Sequence, residues 1–147
     1  EVKNDLSDLD VVIETDLEKL VKESRLIITT TSSKEPLIQS DWIKSGTHIT
    51  AVGSDTPEKC ELDPNILSRA DLIVADSKEQ NLIRGEIHQA IKRSLIDTES
   101  VVELGEIFSG LKQGRVNKDS ITIADLTGVA VQDLVIAESV FKAYSAS

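Results

Sequence analysis

Apolar residues in this chain fall into short β-branched runs separated by stretches with helical spacing, the rhythm of an α/β domain built on a mostly parallel sheet. The first run is Val-Val-Ile-Glu at 11–14, and Thr15 and Glu18 just after it have the spacing of a capping box, which predicts a helix to about Ser24. Residues 26–31 read as a strand too apolar at its start to be half-exposed, as in a parallel sheet covered on both faces. Ser40 is placed to cap a short turn that Gly46 ends, and residues 47–52 make the next strand. Asp63 and Pro64 head a helix to about Arg69, and residues 70–75 form a core strand. Ser77 with Gln80 opens a helix that Gly85 interrupts before it resumes over 87–93. Ser100 with Glu103 predicts another helix, closed by Gly110. Residues 121–125 are the last strand, and the final helix aligns Val131, Leu134, Val135, Ala137, Phe141 and Tyr144 on one face.

Composition narrows the function. A chain of 147 residues with 39% hydrophobic content fits one domain. Its net charge of -10 repels phosphate backbones and anionic lipid, so neither nucleic acid nor membrane is an expected partner. No apolar run approaches the ~20 residues that span a bilayer, and the reading is a cytoplasmic protein. The single cysteine, Cys60, excludes an intrachain disulfide and reads as a reduced loop thiol. His48 and His88 lack metal-ligand spacing, so no metal site is expected. The absence of methionine leads us to expect a piece of a longer protein.

Chemistry concentrates in residues 47–61. A buried-looking strand breaks at Gly53, Pro57 fixes the next bend, and Asp55 is held between them at the strand's carboxyl end, where ligands bind in open α/β sheets. Spacing alone better suits an Asx-turn aspartate bonded to its own loop.

Val52-Gly53, Asp55, Pro57, Lys59 and Glu61, followed by Leu-Asp-Pro at 62–64, resemble the Val-Gly-x-Asp-x-Pro-x-Lys-x-Glu pattern of the ornithine cyclodeaminase and mu-crystallin family. Residues 29–36, 70–76, 102–106 and 121–133 extend the likeness from Val11 onward. The resemblance implies an NAD- or NADP-dependent enzyme acting on a small amino or cyclic imino acid. Members include ornithine cyclodeaminases, alanine dehydrogenases and reductases of 1-pyrroline-2-carboxylate, and the 125–133 run leans toward imine reduction. By resemblance, Asp55 exchanges a proton with substrate nitrogen or water, in a site where desolvation would raise its pKa. Lys59 contacts the dinucleotide and is expected to point away from Asp55, whose acidity it would otherwise increase. Thr31, Ser32, Val52, Gly53 and Ser54 line the nicotinamide side, and Thr127 and Gly128 contact the cofactor ahead of the last helix. Leu126 stands where the family often has serine, and Asp125 where some members have lysine. Glu61 is expected to be solvated, Asp71 and Asp76 to be solvated strand ends, His48 structural, and Trp42 a cap on the core. The other reading the family allows is a non-enzymatic ligand binder like mu-crystallin.

A dinucleotide-binding domain carries a G-x-G-x-x-G turn after its first strand, and none of the seven glycines forms G-x-G. The resemblance places that fingerprint upstream. The chain is therefore expected to be the carboxyl-terminal portion of a Rossmann-like domain lacking its first strands, inactive when isolated, from a protein that forms a homodimer. On that reading residues 11–14 correspond to the family's third strand, separated from the fourth at 26–31 by two absent strands. They should be unpaired, disordered or paired with another chain.

Overall fold

A computed structural model describes residues 10–145. Five strands form one parallel sheet: β1 (Leu26–Thr29), β2 (His48–Ala51), β3 (Leu72–Ala75), β4 (Val101–Glu103) and β5 (Thr122–Asp125), in the order β1-β2-β5-β3-β4. The helices are α1 (Leu17–Glu23), α2 (Asn65–Ser68), α3 (Lys78–Asn81), α4 (Gly85–Lys92), α5 (Leu104–Phe108) and α6 (Ala130–Ser145). The expected α/β class and mostly parallel sheet are what the structure has, in the manner of a partial Rossmann fold.

The register explains the core. Ile27, Ile49, Ile123, Ile73 and Val101 stand side by side across all five strands, a row of β-branched residues each no more than 9% exposed. Ile38, Leu62, Ile66, Leu67, Ile87 and Ala90 pack with this row in one cluster. The opposite face is thinner at its edge. Leu26 and Ile28 of β1 are each 61% exposed, so the expectation of a strand covered on both faces fails there.

Residues 11–14 form no strand, and Val12 and Ile13 are exposed, in keeping with the expected lack of pairing. The Thr15/Glu18 box does not form. Asp16 caps α1 by accepting the Lys19 N–H, while the Glu14 carboxylate accepts the N–H groups of Thr15 and Asp16. Near Ser100 the structure has a strand where a helix was expected. Val101 and Val102 extend the sheet as β4, and the helix starts afterwards at Leu104, where the Glu106 carboxylate accepts the Glu103 N–H. Gly85 opens α4 with φ +91°, so it divides two helices as expected. Helix α6 forms, but none of its residues is buried, and the predicted face carries Phe141 and Tyr144 at 69% and 81% exposure.

Candidate functional site

All five strands run parallel, so their carboxyl ends share one rim of the sheet. Thr29, Ala51, Asp125, Ala75 and Glu103 form the last row before that rim. Its three polar members anchor what lies beyond: Thr29 Oγ1 donates to Glu61 (2.6 Å), Asp125 accepts the Ile87 N–H (2.8 Å) and Glu103 accepts the Lys78 N–H (2.8 Å). The first of these holds the loop that leaves β2.

That loop rests on two buried carboxylates. Glu61 is fully enclosed, against the expectation of a solvated residue, and accepts from Thr29 Oγ1, the Thr31 N–H (2.5 Å) and the Gly53 N–H (3.0 Å). Glu86, also fully enclosed, accepts from the Ser54 hydroxyl and from the N–H groups of Glu61 (2.7 Å) and Leu62 (3.2 Å). Burial pushes the Glu86 pKa up, and its donors offset part of that rise. Gln89 completes the packing by donating to the Pro57 carbonyl at 2.8 Å. Glycine is required at 53, because a Cβ there would lie 2.0 Å from the Thr31 carbonyl oxygen and 2.5 Å from Glu61 Oε1.

Sequence reasoning missed both anchors. Glu86 looks like an ordinary acidic residue in a first helical turn, and no pattern announces its burial. Glu61 had a signal: it closes the Val-Gly-x-Asp-x-Pro-x-Lys-x-Glu pattern and lies between the apolar residues Cys60 and Leu62. Cys60 itself is enclosed, with its thiol pushed up to about 12 by burial and the nearby Glu86 charge, so it stays protonated.

Asp55 projects from this scaffold beyond β2. Its side chain is 54% exposed and accepts from Lys59 Nζ at 2.5 Å. Two expectations are corrected. Lys59 does not point away, because its position four residues on, after the turn at Pro57, brings the ammonium back over the carboxylate. The Asp55 pKa is not raised but lowered, by the Lys59 hydrogen bond first, with Arg84 adding a smaller favourable charge. At neutral pH Asp55 is ionised.

The other candidates divide. Thr31, Ser32 and Val52 are exposed at the ends of β1 and β2, beside Gly53. Ser54 is not open: its hydroxyl is committed to Glu86 and the residue is 2% exposed. Thr127 and Gly128 are likewise committed, the hydroxyl of one (3.3 Å) and the N–H of the other (2.8 Å) donating to Asp76. Asp76 is therefore an anchor for the approach to α6 and not a solvated end; it also accepts from Ser77 N and Asn81 Nδ2. Asp71 is exposed and accepts the Ile121 N–H. Asp125 is 1% exposed, and burial raises its pKa well above the usual carboxylate range, with the Glu86 and Asp76 charges adding to the shift. It secures α4 and offers nothing to a substrate. His48 is structural, bonded to Thr122 Oγ1 at 2.7 Å, and Trp42 packs against the core. Among the described residues no cluster of His, Cys, Asp and Glu is arranged to hold a metal, and no helix is long and apolar enough to cross a membrane.

The arrangement joins an ionised carboxylate on a rigid mount, a cation beside it, and a rim of small exposed residues. It can exchange a proton with a ligand lying over the ends of β1 and β2. An uncharacterized cyclodeaminase of Sinorhizobium fredii is 44% identical over 128 residues, 86% of this chain and 39% of that protein. An archaeal alanine dehydrogenase dimer with bound NAD superposes with a TM-score of 0.86 at 37% identity, covering 95% of this chain and 44% of that one. The Delta(1)-pyrroline-2-carboxylate reductase of Thermococcus litoralis, in complex with NADH and L-proline, gives 0.86 at 31% identity, covering 94% and 43%. The chain thus spans about two-fifths of the length of the curated relatives it matches. Residues 2–147 match one family over almost every position, and the chain belongs to the ornithine cyclodeaminase/mu-crystallin family.

Proposed function

We propose that this chain is the carboxyl-terminal portion of a Rossmann-like NAD(P)-binding domain, and that its parent protein is an oxidoreductase or deaminase acting on a small amino or imino acid. The observation that carries the reading is Asp55, presented beyond β2 by a loop with no slack in it. Longer relatives that match this stretch hold NAD or NADH in their solved structures, one of them with L-proline. The open edge of β1, with Leu26 and Ile28 exposed, supports the view that further strands complete the sheet in the parent protein.

The rim residues fit a nicotinamide. Val52 offers an exposed apolar side chain beside Gly53, and Thr31 and Ser32 are accessible. Bound there, the nicotinamide supplies or accepts the hydride. Ser54, Thr127 and Gly128 act behind this surface, with their donors already used.

Asp55 as it stands suits proton acceptance, because its ion pair keeps it ionised. Donation, which imine reduction needs, requires Lys59 to swing off the carboxylate. Exposed pairs of this kind are worth at most about 1 kcal/mol, small beside the roughly 8 kcal/mol of a micromolar ligand. Lys59 is then free to meet a phosphate or carboxylate on the ligand. We favour reduction of an imino acid, with oxidation of the matching amino acid as its reverse. The lysine-locked carboxylate also favours a second reading, a non-enzymatic binder of dinucleotide or amino acid. In either case the parent forms a homodimer, a reading that the alanine dehydrogenase dimer among the similar structures supports, and the isolated chain is inactive.

Asp55→Asn in the full-length protein tests the first reading. Turnover of 1-pyrroline-2-carboxylate, alanine and ornithine with NAD(H) and NADP(H) should fall at least about 100-fold, while NADH binding by fluorescence stays within about threefold. Undiminished turnover would end the assignment. Cofactor binding with no turnover of any substrate by the unsubstituted protein would leave the binder.

A further inference from the structure

We propose that Glu61 and Glu86 are positioning residues that clamp both ends of the Asp55 loop and so fix where its carboxylate meets the ligand. This rests on the reading that Asp55 exchanges the proton. On the outgoing side, Glu61 ties Gly53 to Thr29 and Thr31, joining the loop to the end of the neighbouring strand β1. Ser54 is tied in turn to Glu86. On the returning side, Glu86 holds the N–H groups of Glu61 and Leu62. The two clamps are coupled, because the backbone of one carboxylate residue is a donor to the other. Between them the chain from 55 to 60 makes only a short excursion, with the Asp55 N–H on the Gly53 carbonyl at 3.1 Å.

Carboxylates suit this work because they accept at every lone pair and donate nothing. Each collects three N–H or O–H donors, and a glutamine would turn its NH₂ toward at least one of them. The loop would then shift on the scale at which proton transfer is lost.

The test uses the full-length protein with Glu61→Gln, Thr29→Val and Asp55→Asn. Thr29→Val removes one donor to Glu61 while keeping the side-chain shape, and it decides the matter should Glu61→Gln fail to fold. We expect kcat per NADH-binding site to fall about 10- to 100-fold in Glu61→Gln and less in Thr29→Val. The Kd for NADH should move by less than about threefold, and hydrogen exchange should speed up at the amides of Gly53 and Asp55. A purely architectural role would lower the number of NADH sites and leave kcat per site alone. If Asp55→Asn abolishes turnover while both clamp variants keep kcat per site, the positioning proposal is overturned and the assignment of Asp55 stands. If Asp55→Asn keeps turnover, both fall.

Discussion

Asp125 shows how far one residue's surroundings can depart from its sequence neighbourhood. Its carboxylate is enclosed beside Gly85, near the charges of Glu86 and Asp76, and its folded pKa is raised. A raised folded pKa means that the folded state holds its proton more tightly than the unfolded state does. The contribution to stability is full below the unfolded value near 3.8 and is lost as pH rises through the folded value. Asp125→Asn should therefore raise the melting temperature at pH 7 to 8, with the gain shrinking toward pH 4, because the amide oxygen can still accept from Ile87. A melting series across that range checks it. Asp55 has the opposite shift, and Lys59→Gln should move its pKa upward toward the ordinary carboxylate value in a carboxyl-detected NMR titration. The sequence made Asp55 visible because Gly53 and Pro57 punctuate the chain on both sides of it. Its pairing was not visible, since whether Lys59 turns inward depends on the path of the loop after Pro57.

Among the elements, strand and helix order was readable wherever a turn residue marked the boundary: Gly46 before β2, Ser77 before α3 and Gly85 before α4. The boundary before β4 had no such mark. Ser100 and Glu103 match a helix-start pattern, and only pairing with β3 makes Val101 and Val102 a strand. The element most sensitive to substitution is the β2 loop. Gly53→Ala would drive a methyl group into the Thr31 carbonyl and the Glu61 carboxylate, neither of which can retreat without breaking the clamp. We expect a loss of roughly 1–3 kcal/mol or more in urea unfolding, together with loss of NADH binding by the parent protein.

Across the whole fold, two exposed apolar features of the described residues stand out. One is the β1 edge and the groove of about 300 Å³ that it forms with α1, lined by Leu17, Leu20, Leu26 and Ile28. The other is α6, where Val131, Leu134, Val135, Ile136, Val140 and Phe141 are all more than half exposed. Exposed apolar edges promote association. The isolated chain should therefore self-associate, and Ile28→Lys should reduce this in light scattering without altering its circular dichroism. Hydrophobic patterning predicted a strand at 26–31 covered on both faces and one apolar face on the last helix, and the structure leaves Leu26, Ile28 and that helix face exposed. Burial depends on what an element meets as well as on its periodicity.

The position of β5 has a consequence for how the molecule comes into being. β1 adjoins β2 and β3 adjoins β4, but within the sheet these two pairs are joined only through residues 122–125, the last of the five strands in sequence. Until then a nascent chain lacks the central strand, and the Ile49, Ile123 and Ile73 row cannot close. Synthesis ending before Ile121 should yield no cooperative fold. The keystone of the sheet follows the four strands it joins, so those strands are exposed to misassembly until it arrives.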